Sequence, residues 1–126
     1  DSALEQARQQ IALAIDTLHK SGIQDSLALG LLPRAWLRSL ASDADGCCTD
    51  LDEAQEIAER GSMKLHMADI HLHRARLFLR VKPYPWESVG ADLGAAEELI
   101  NECGYHRRDE ELADAKEAAR AAGEIP

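Results

Sequence analysis

Apolar residues recur along the chain at intervals of three and four, the spacing of one face of an α-helix. The N-terminal segment begins with Ser2 and Glu5 at the spacing of a capping box, and its stripe comprises Leu4, Ala7, Ile11, Ala14 and Leu18. Later segments show the same intervals, and none alternates apolar and polar residues as a half-buried strand does. The pattern predicts an all-α protein.

Six helices are predicted from the stripes and from the residues that interrupt them. Their ranges are 2–21, 24–42, 47–60, 62–81, 86–103 and 106–122. Pro33 falls inside the second helix, where its missing N–H predicts a kink or an irregular first half. Gly61 and Gly104 end the third and fifth helices, and Pro83 and Pro85 end the fourth.

A repeat of about 40 residues relates these helices. A large apolar residue three positions before an alanine occurs at Ile11, Leu51 and Leu93, which are 40 and 42 residues apart. Arg34-Ala35 and Arg74-Ala75 are 40 residues apart as well. A period of this size is typical of helical hairpins that stack, each covering the apolar face of the previous one.

The order of residues within a hairpin resembles that of a tetratricopeptide repeat. Ala35 and Ala75 stand where the first helix of that motif needs a small residue, and Trp86 stands at its large position after the turn. The second helix of the motif needs small and large apolar residues that face the first helix. Cys47, Leu51 and Ala54 match these positions in one copy, and Val89, Leu93 and Ala96 match them in the next. The period exceeds the usual value of about 34. The resemblance implies a right-handed stack of antiparallel helical hairpins, a tetratricopeptide-like α-solenoid, as one repeat domain over residues 1–126.

The stretches 50–61 and 104–109 resemble the C-terminal repeat arms of bacterial multidomain signalling NTPases and related regulators. This resemblance implies a non-catalytic scaffold or sensor module that holds a protein, a peptide or a neighbouring domain of its own chain. It implies no cofactor and no catalytic residues. Because the sequence does not begin with Met, we expect a fragment of a longer polypeptide.

Composition narrows the classes of partner and compartment. The chain has 14 Lys and Arg against 23 Asp and Glu, a net charge of −9, which disfavours nucleic acid as a partner. No apolar run approaches the length of a membrane-spanning helix. Three cysteines, an odd number with Cys47 and Cys48 adjacent, are a poor disulfide framework and favour reduced thiols in the cytoplasm.

For two clusters of side chains, the sequence is compatible with either a chemical function or a purely structural role. His66, Asp69 and His73 share one helix face and are residue types that bind zinc, although Asp69 and His73 also have the spacing of an i,i+4 pair. Cys47-Cys48 could form a redox or metal pair, but Cys47 also occupies a position where a small buried residue is expected. No motif of a known catalytic class is present, so the sequence predicts no enzyme.

The predicted concave face of the stack is the remaining candidate site. It comprises Leu29, Leu32, Trp36 and Leu40 from one hairpin and Asp69, Leu72, Arg76 and Arg80 from the next. Trp and Arg contribute strongly to binding at interfaces, so the face suits a peptide or helix with apolar anchors and an acidic group. Alternatively, this face packs against absent parts of a longer solenoid. Two other functions stay open: binding of a small molecule or metal at the His66, Asp69 and His73 face or in a pocket beside Trp36, and self-association through terminal hairpins that stack on other copies.

Overall fold

The structure, a computed structural model, describes residues 2–21 and 24–126, with the side chains of residues 2–16 and 31–126. Within these ranges the chain forms six α-helices and one short 3-10 helix and contains no strand, which confirms the all-α prediction. The helices are α1 Ser2–Ser21, α2 Gln24–Leu40, α3 Ala44–Arg60, α4 Lys64–Phe78, α5 Val89–Cys103 and α6 Asp109–Ala121, with the 3-10 helix His106–Arg108 before α6.

Helix α3 begins three residues earlier than predicted because Asp43 caps it. The Asp43 side chain accepts a hydrogen bond from the Gly46 N–H at 3.0 Å, which satisfies one of the free donors of the first turn. Residues 41–43 therefore form the whole connection from α2, and residues 44–46, which fall between the predicted second and third helices, are helical. Helix α2 includes Pro33 and ends at Leu40, two residues before the predicted end.

The ends of α4 and the start of α5 also differ from the predicted ones. Ser62, which starts the predicted range and is of a residue type that caps helices, does not cap α4, because Met63 precedes the helix and forms no side-chain cap. Helix α4 ends at Phe78 instead of near residue 81. Helix α5 begins at Val89 instead of residue 86 because Ser88 accepts a hydrogen bond from Ala91 N–H at 2.9 Å.

The chain divides into two compact units, Asp1–Ser62 and Met63–Pro126, called unit 1 and unit 2 below. In unit 1, α2 packs against both α1 and α3. The buried apolar side chains of this unit are Ile15, Leu31, Leu32, Ala35, Leu37, Cys47, Leu51, Ala54, Ile57 and Ala58.

In unit 2, α5 packs against α4 and α6, and α4 also contacts α6. The core that these three helices enclose comprises Ala68, Leu72, Ala75, Val89, Leu93, Ala96, Ile100, Leu112, Ala115 and Ala119. Five of these ten side chains are alanine, and side chains this small permit helices to pack closely.

The hairpins α2–α3 and α4–α5 bury equivalent positions of the repeat. These pairs, each no more than 2% exposed, are Ala35 and Ala75, Cys47 and Val89, Leu51 and Leu93, and Ala54 and Ala96. Helix α1 departs from the pattern, since Ala14 is exposed and the adjacent Ile15 is buried. The similarity of the two hairpins therefore lies in their helix–helix contacts as well as in their sequences.

Candidate interaction surfaces

A groove of about 260 Å³ lies between α4 and α6 in unit 2. It is lined by Ala75, Arg76, Leu79, Asp114, Ala115 and Ala118. The short alanine side chains leave room along the groove, and Leu79 adds an apolar wall. Arg76 lies on α4 and Asp114 on α6, so the groove combines an apolar floor with opposite charges on its two helices. Such a groove can accept an apolar side chain whose neighbours carry charge.

Arg76, in the last turn of α4, and Arg80, two residues after its end, are both exposed. In the part of the chain that the structure describes, neither guanidinium forms an ion pair with a carboxylate within 4 Å. Two predicted residues of the concave face are therefore available to an acidic group on a partner. Arg76 also lines the groove, whereas Arg80 is not among its lining residues.

Asp69 and Leu72, the other residues predicted for this face of unit 2, are buried instead. Leu72 is 2% exposed and belongs to the core. The Asp69 carboxylate accepts hydrogen bonds from Arg108 Nε at 3.0 Å and from the Tyr105 hydroxyl at 3.3 Å. Asp69 thus joins α4 to the segment that leads into α6, and its oxygens are engaged within the protein.

In unit 1, Trp36 and Leu40 are exposed and lie one turn apart on α2, at 49% and 55% exposure. Leu32, one turn before Trp36, is buried at 8% exposure. The side chain of Leu29 lies outside the described residues. Of the apolar residues predicted for the concave face, Trp36 and Leu40 are therefore accessible to a partner, whereas Leu32 stabilises the core.

His66, Asp69 and His73 do not form a metal centre in the structure. His73 Nδ1 contacts the backbone carbonyl oxygen of Asp69 at 2.8 Å, not its carboxylate. Burial lowers the pKa of His73, and the carboxylate of Asp69 is already bonded to Arg108 and Tyr105. Among the residues described, no three His, Cys, Asp or Glu side chains are placed to hold a metal ion.

None of the three cysteines is part of a disulfide bond. Cys47 is fully buried, and burial, with smaller contributions from neighbouring acidic groups, raises its pKa to about 12. A thiol with so high a pKa is protonated at neutral pH and is a poor nucleophile and metal ligand. Cys47 therefore acts as a small apolar side chain in the α2–α3 contact.

Two buried acidic residues form contacts between the helices of each hairpin. The sequence analysis did not predict their role. Asp50, which is 1% exposed, receives Arg34 Nη2 at 2.7 Å and Arg38 Nη1 at 3.1 Å. Both arginines lie on α2, so the carboxylate on α3 joins the two helices. Charges this deeply buried are tolerated only when they are paired.

Asp92 has the corresponding role in unit 2. Its carboxylate contacts His71 Nδ1 at 2.7 Å, accepts a hydrogen bond from the Tyr84 hydroxyl at 2.5 Å and lies 3.5 Å from Arg74 Nη1. Burial and the nearby Asp92 carboxylate raise the pKa of Tyr84 well above its usual value. Asp50 and Asp92 each precede the repeated leucine, Leu51 or Leu93, and this was the signal available in the sequence.

No helix in the described ranges is both long and apolar enough to cross a membrane. Comparison with known protein families, with curated proteins and with solved structures finds no match to this chain.

Proposed function

We propose that this chain is a non-catalytic protein-interaction module, a tetratricopeptide-like stack that serves in the scaffold or sensor arm of a cytoplasmic bacterial signalling protein. The observation that carries the proposal is the groove between α4 and α6, with its alanine floor and with Arg76 and Asp114 on opposite helices. The equivalent burial of matched residues in α2–α3 and α4–α5 supports the repeat relationship, from which the stack and the parentage are inferred.

The chemistry of the groove favours a peptide or a helix of a partner protein. Its volume accommodates one or two apolar side chains, and burial of such side chains is the main source of affinity at interfaces. Arg76 offers a planar group that can bind a partner carboxylate through two hydrogen bonds. Exposed Trp36 and Leu40 in unit 1 add a second apolar contact of the kind that anchors a partner.

The contacts of the buried acidic residues support a structural role for these residues, not a catalytic one. Asp50, Asp69 and Asp92 are each bonded to arginine, tyrosine or histidine side chains of neighbouring helices. A general acid or base has to face a cavity that admits substrate, and none of these three carboxylates lines the α4–α6 groove.

Affinity capture from a bacterial lysate tests the proposal. The wild-type chain is compared with Arg76→Ala and with Trp36→Ala, each made separately, and quantitative mass spectrometry identifies the captured proteins. Arg76→Ala is expected to reduce capture of a specific protein about tenfold, because one charge-assisted contact is lost. Trp36→Ala tests the exposed apolar residues of unit 1 separately.

Matched controls separate loss of a contact from loss of charge or apolar area in general. Arg60→Ala removes an exposed arginine from α3, and Leu65→Ala removes an exposed leucine from α4. Both should capture as much partner as wild type, and circular dichroism should show equal helix content in all variants. Equal capture by Arg76→Ala and Arg60→Ala, or no protein captured by wild type, contradicts the proposal.

A further inference from the structure

A second cleft, of about 170 Å³, lies between α1 and α2 in unit 1. It is lined by Glu5, Arg8, Gln9, Ala12, Arg34 and Arg38. Three of the six lining residues are arginines, brought together from two helices in a chain whose net charge is −9. Arginine side chains that converge on a small cleft are suited to bind an oxyanion.

Two of the guanidinium groups are held in place by Asp50 and still have spare donors. Arg34 donates to Asp50 from Nε at 3.0 Å and from Nη2 at 2.7 Å. Arg38 donates from Nη1 to Asp50 and to the Gly46 carbonyl oxygen, each at 3.1 Å. The N–H groups on Arg34 Nη1 and Arg38 Nη2 take part in none of these bonds. A buried carboxylate thus orients two arginines beforehand, which lowers the cost of binding a ligand.

The acidic groups near the cleft are already engaged by the protein. Glu5 receives Arg8 Nη1 at 3.3 Å and Gln9 Nε2 at 3.4 Å. Asp43, whose carboxylate is 3.9 Å from Arg38 Nε, caps α3. Together with Asp50 these acids balance the three arginines. An anion in the cleft therefore meets a neutral cluster with free donors instead of a repulsive negative charge.

The equivalent arginine in unit 2 is covered. Arg74, which corresponds to Arg34 in the repeat, lies 4.7 Å from the centre of the Trp86 ring. Trp86 belongs to the ten-residue connection 79–88 between α4 and α5, whereas residues 41–43 form the connection between α2 and α3. Arg34 instead lines the cleft between α1 and α2.

We propose that the α1–α2 cleft binds a small tetrahedral oxyanion, either free phosphate or the phosphate group of a small molecule. Arg8, Arg34 and Arg38 supply donors from separate side chains, which match a group with several oxygens better than a carboxylate with two. This site lies in unit 1, is distinct from the α4–α6 groove, and goes beyond the proposed interaction function.

Titration of the ¹⁵N-labelled chain with inorganic phosphate at constant pH and ionic strength tests the site, with the arginine Nε–H signals as the readout. The Arg34 and Arg38 signals should shift and saturate. Arg8→Ala should weaken binding about tenfold through loss of one charge-assisted bond. Arg8 is the residue of choice because it does not bond Asp50, so its removal leaves the buried pair intact. Arg60→Ala, an equal charge change on the exposed side of α3, should bind phosphate as wild type does.

Acetate at the same ionic strength distinguishes the two kinds of oxyanion, and a phosphorylated sugar in a parallel titration distinguishes free phosphate from a phosphate ester. Tighter binding of acetate than of phosphate would overturn the choice of a tetrahedral ligand. Arginine signals that do not respond to phosphate, or equal responses in Arg8→Ala and Arg60→Ala, would overturn the site itself. These results are independent of partner capture at the groove.

Discussion

Arg34 on α2, which is partly buried, and the fully buried Asp50 on α3 form an ion pair, with 2.7 Å between Nη2 and the carboxylate. Arg74 and Asp92, which follow them by 40 and 42 residues, lie 3.5 Å apart between α4 and α5. The repeat thus includes a charged contact between its two helices as well as the small and large apolar residues. A buried carboxylate has to be paired, so this contact favours the helix alignment in which the acid on one helix meets the arginine on the other.

Removing Asp50 should destabilise unit 1 strongly. Asp50→Ala leaves Arg34 and Arg38 partly buried without their shared counterion, and we expect a loss of about 3–5 kcal/mol in the free energy of unfolding. Urea denaturation followed by circular dichroism measures the loss. Glu56→Ala, an exposed acid on the same helix, is the matched control and should change stability by less than about 0.5 kcal/mol. Equal effects of the two substitutions would show that the pair does not stabilise the hairpin.

The tyrosine hydroxyls of unit 2 should differ in their contribution to stability. Tyr84→Phe removes a hydrogen bond of 2.5 Å to Asp92, and we expect a cost of about 2 kcal/mol, in the range for bonds to charged groups. Tyr105→Phe removes a longer bond of 3.3 Å to Asp69 and should cost less than about 1 kcal/mol. Denaturation of both variants checks the order, and a larger loss for Tyr105→Phe would contradict it.

The sequence was sufficient to predict the helical class, the approximate helices and the buried residues of the repeat, because these follow from local spacing. It was insufficient for Asp50 and Asp92, since an acid within a helical stripe is expected to face solvent. Their burial depends on arginine, histidine and tyrosine side chains that reach them from another segment. The start of α5 was missed for a similar reason, because Tyr84 and Trp86 are held in the connection by contacts with Asp92, Phe78 and Arg74.

The sequence was also insufficient to predict which residues of the concave face are exposed. Helical spacing placed Leu72 beside Arg76, but only the packing of α4 against α5 and α6 decides that Leu72 is buried and Arg76 is exposed. The groove and the α1–α2 cleft depend on distances between helices, which a pattern within one helix does not contain.

Two glycines within helices should respond to alanine in opposite directions. A Cβ at Gly94 would have no atom within 4 Å, so Gly94→Ala should stabilise unit 2 by about 0.5–1 kcal/mol through helix propensity. A Cβ at Gly46 would lie 2.3 Å from an Asp43 carboxylate oxygen and 2.9 Å from Arg38 Cδ. Gly46→Ala should therefore displace the cap of α3 and destabilise unit 1 by about 1–2 kcal/mol. Thermal denaturation of both variants measures the signs, and stabilisation by both would contradict the close approach at Gly46.

Stability should fall as the pH drops through the usual pKa of histidine. Burial lowers the pKa of His73 in the folded protein, so below about pH 6.5 the unfolded chain binds the proton more readily than the folded one. One such group lowers the free energy of unfolding by up to about 1.4 kcal/mol per pH unit, from pH 6.5 down to its folded pKa. Urea denaturation between about pH 7.5 and about pH 5 should show a smaller decline in His73→Gln. An unchanged decline in that variant would mean that protonation of His73 is not coupled to unfolding.

The most direct test of the interaction function is to fill the α4–α6 groove. Ala118 and Ala113 are both exposed on α6, but only Ala118 lines the groove. Ala118→Trp should therefore block partner capture, while Ala113→Trp, which adds the same side chain outside the groove, should leave it at the wild-type level. If both variants capture equally, or both lose capture with helix content intact, the groove is not the binding site and the central proposal is contradicted.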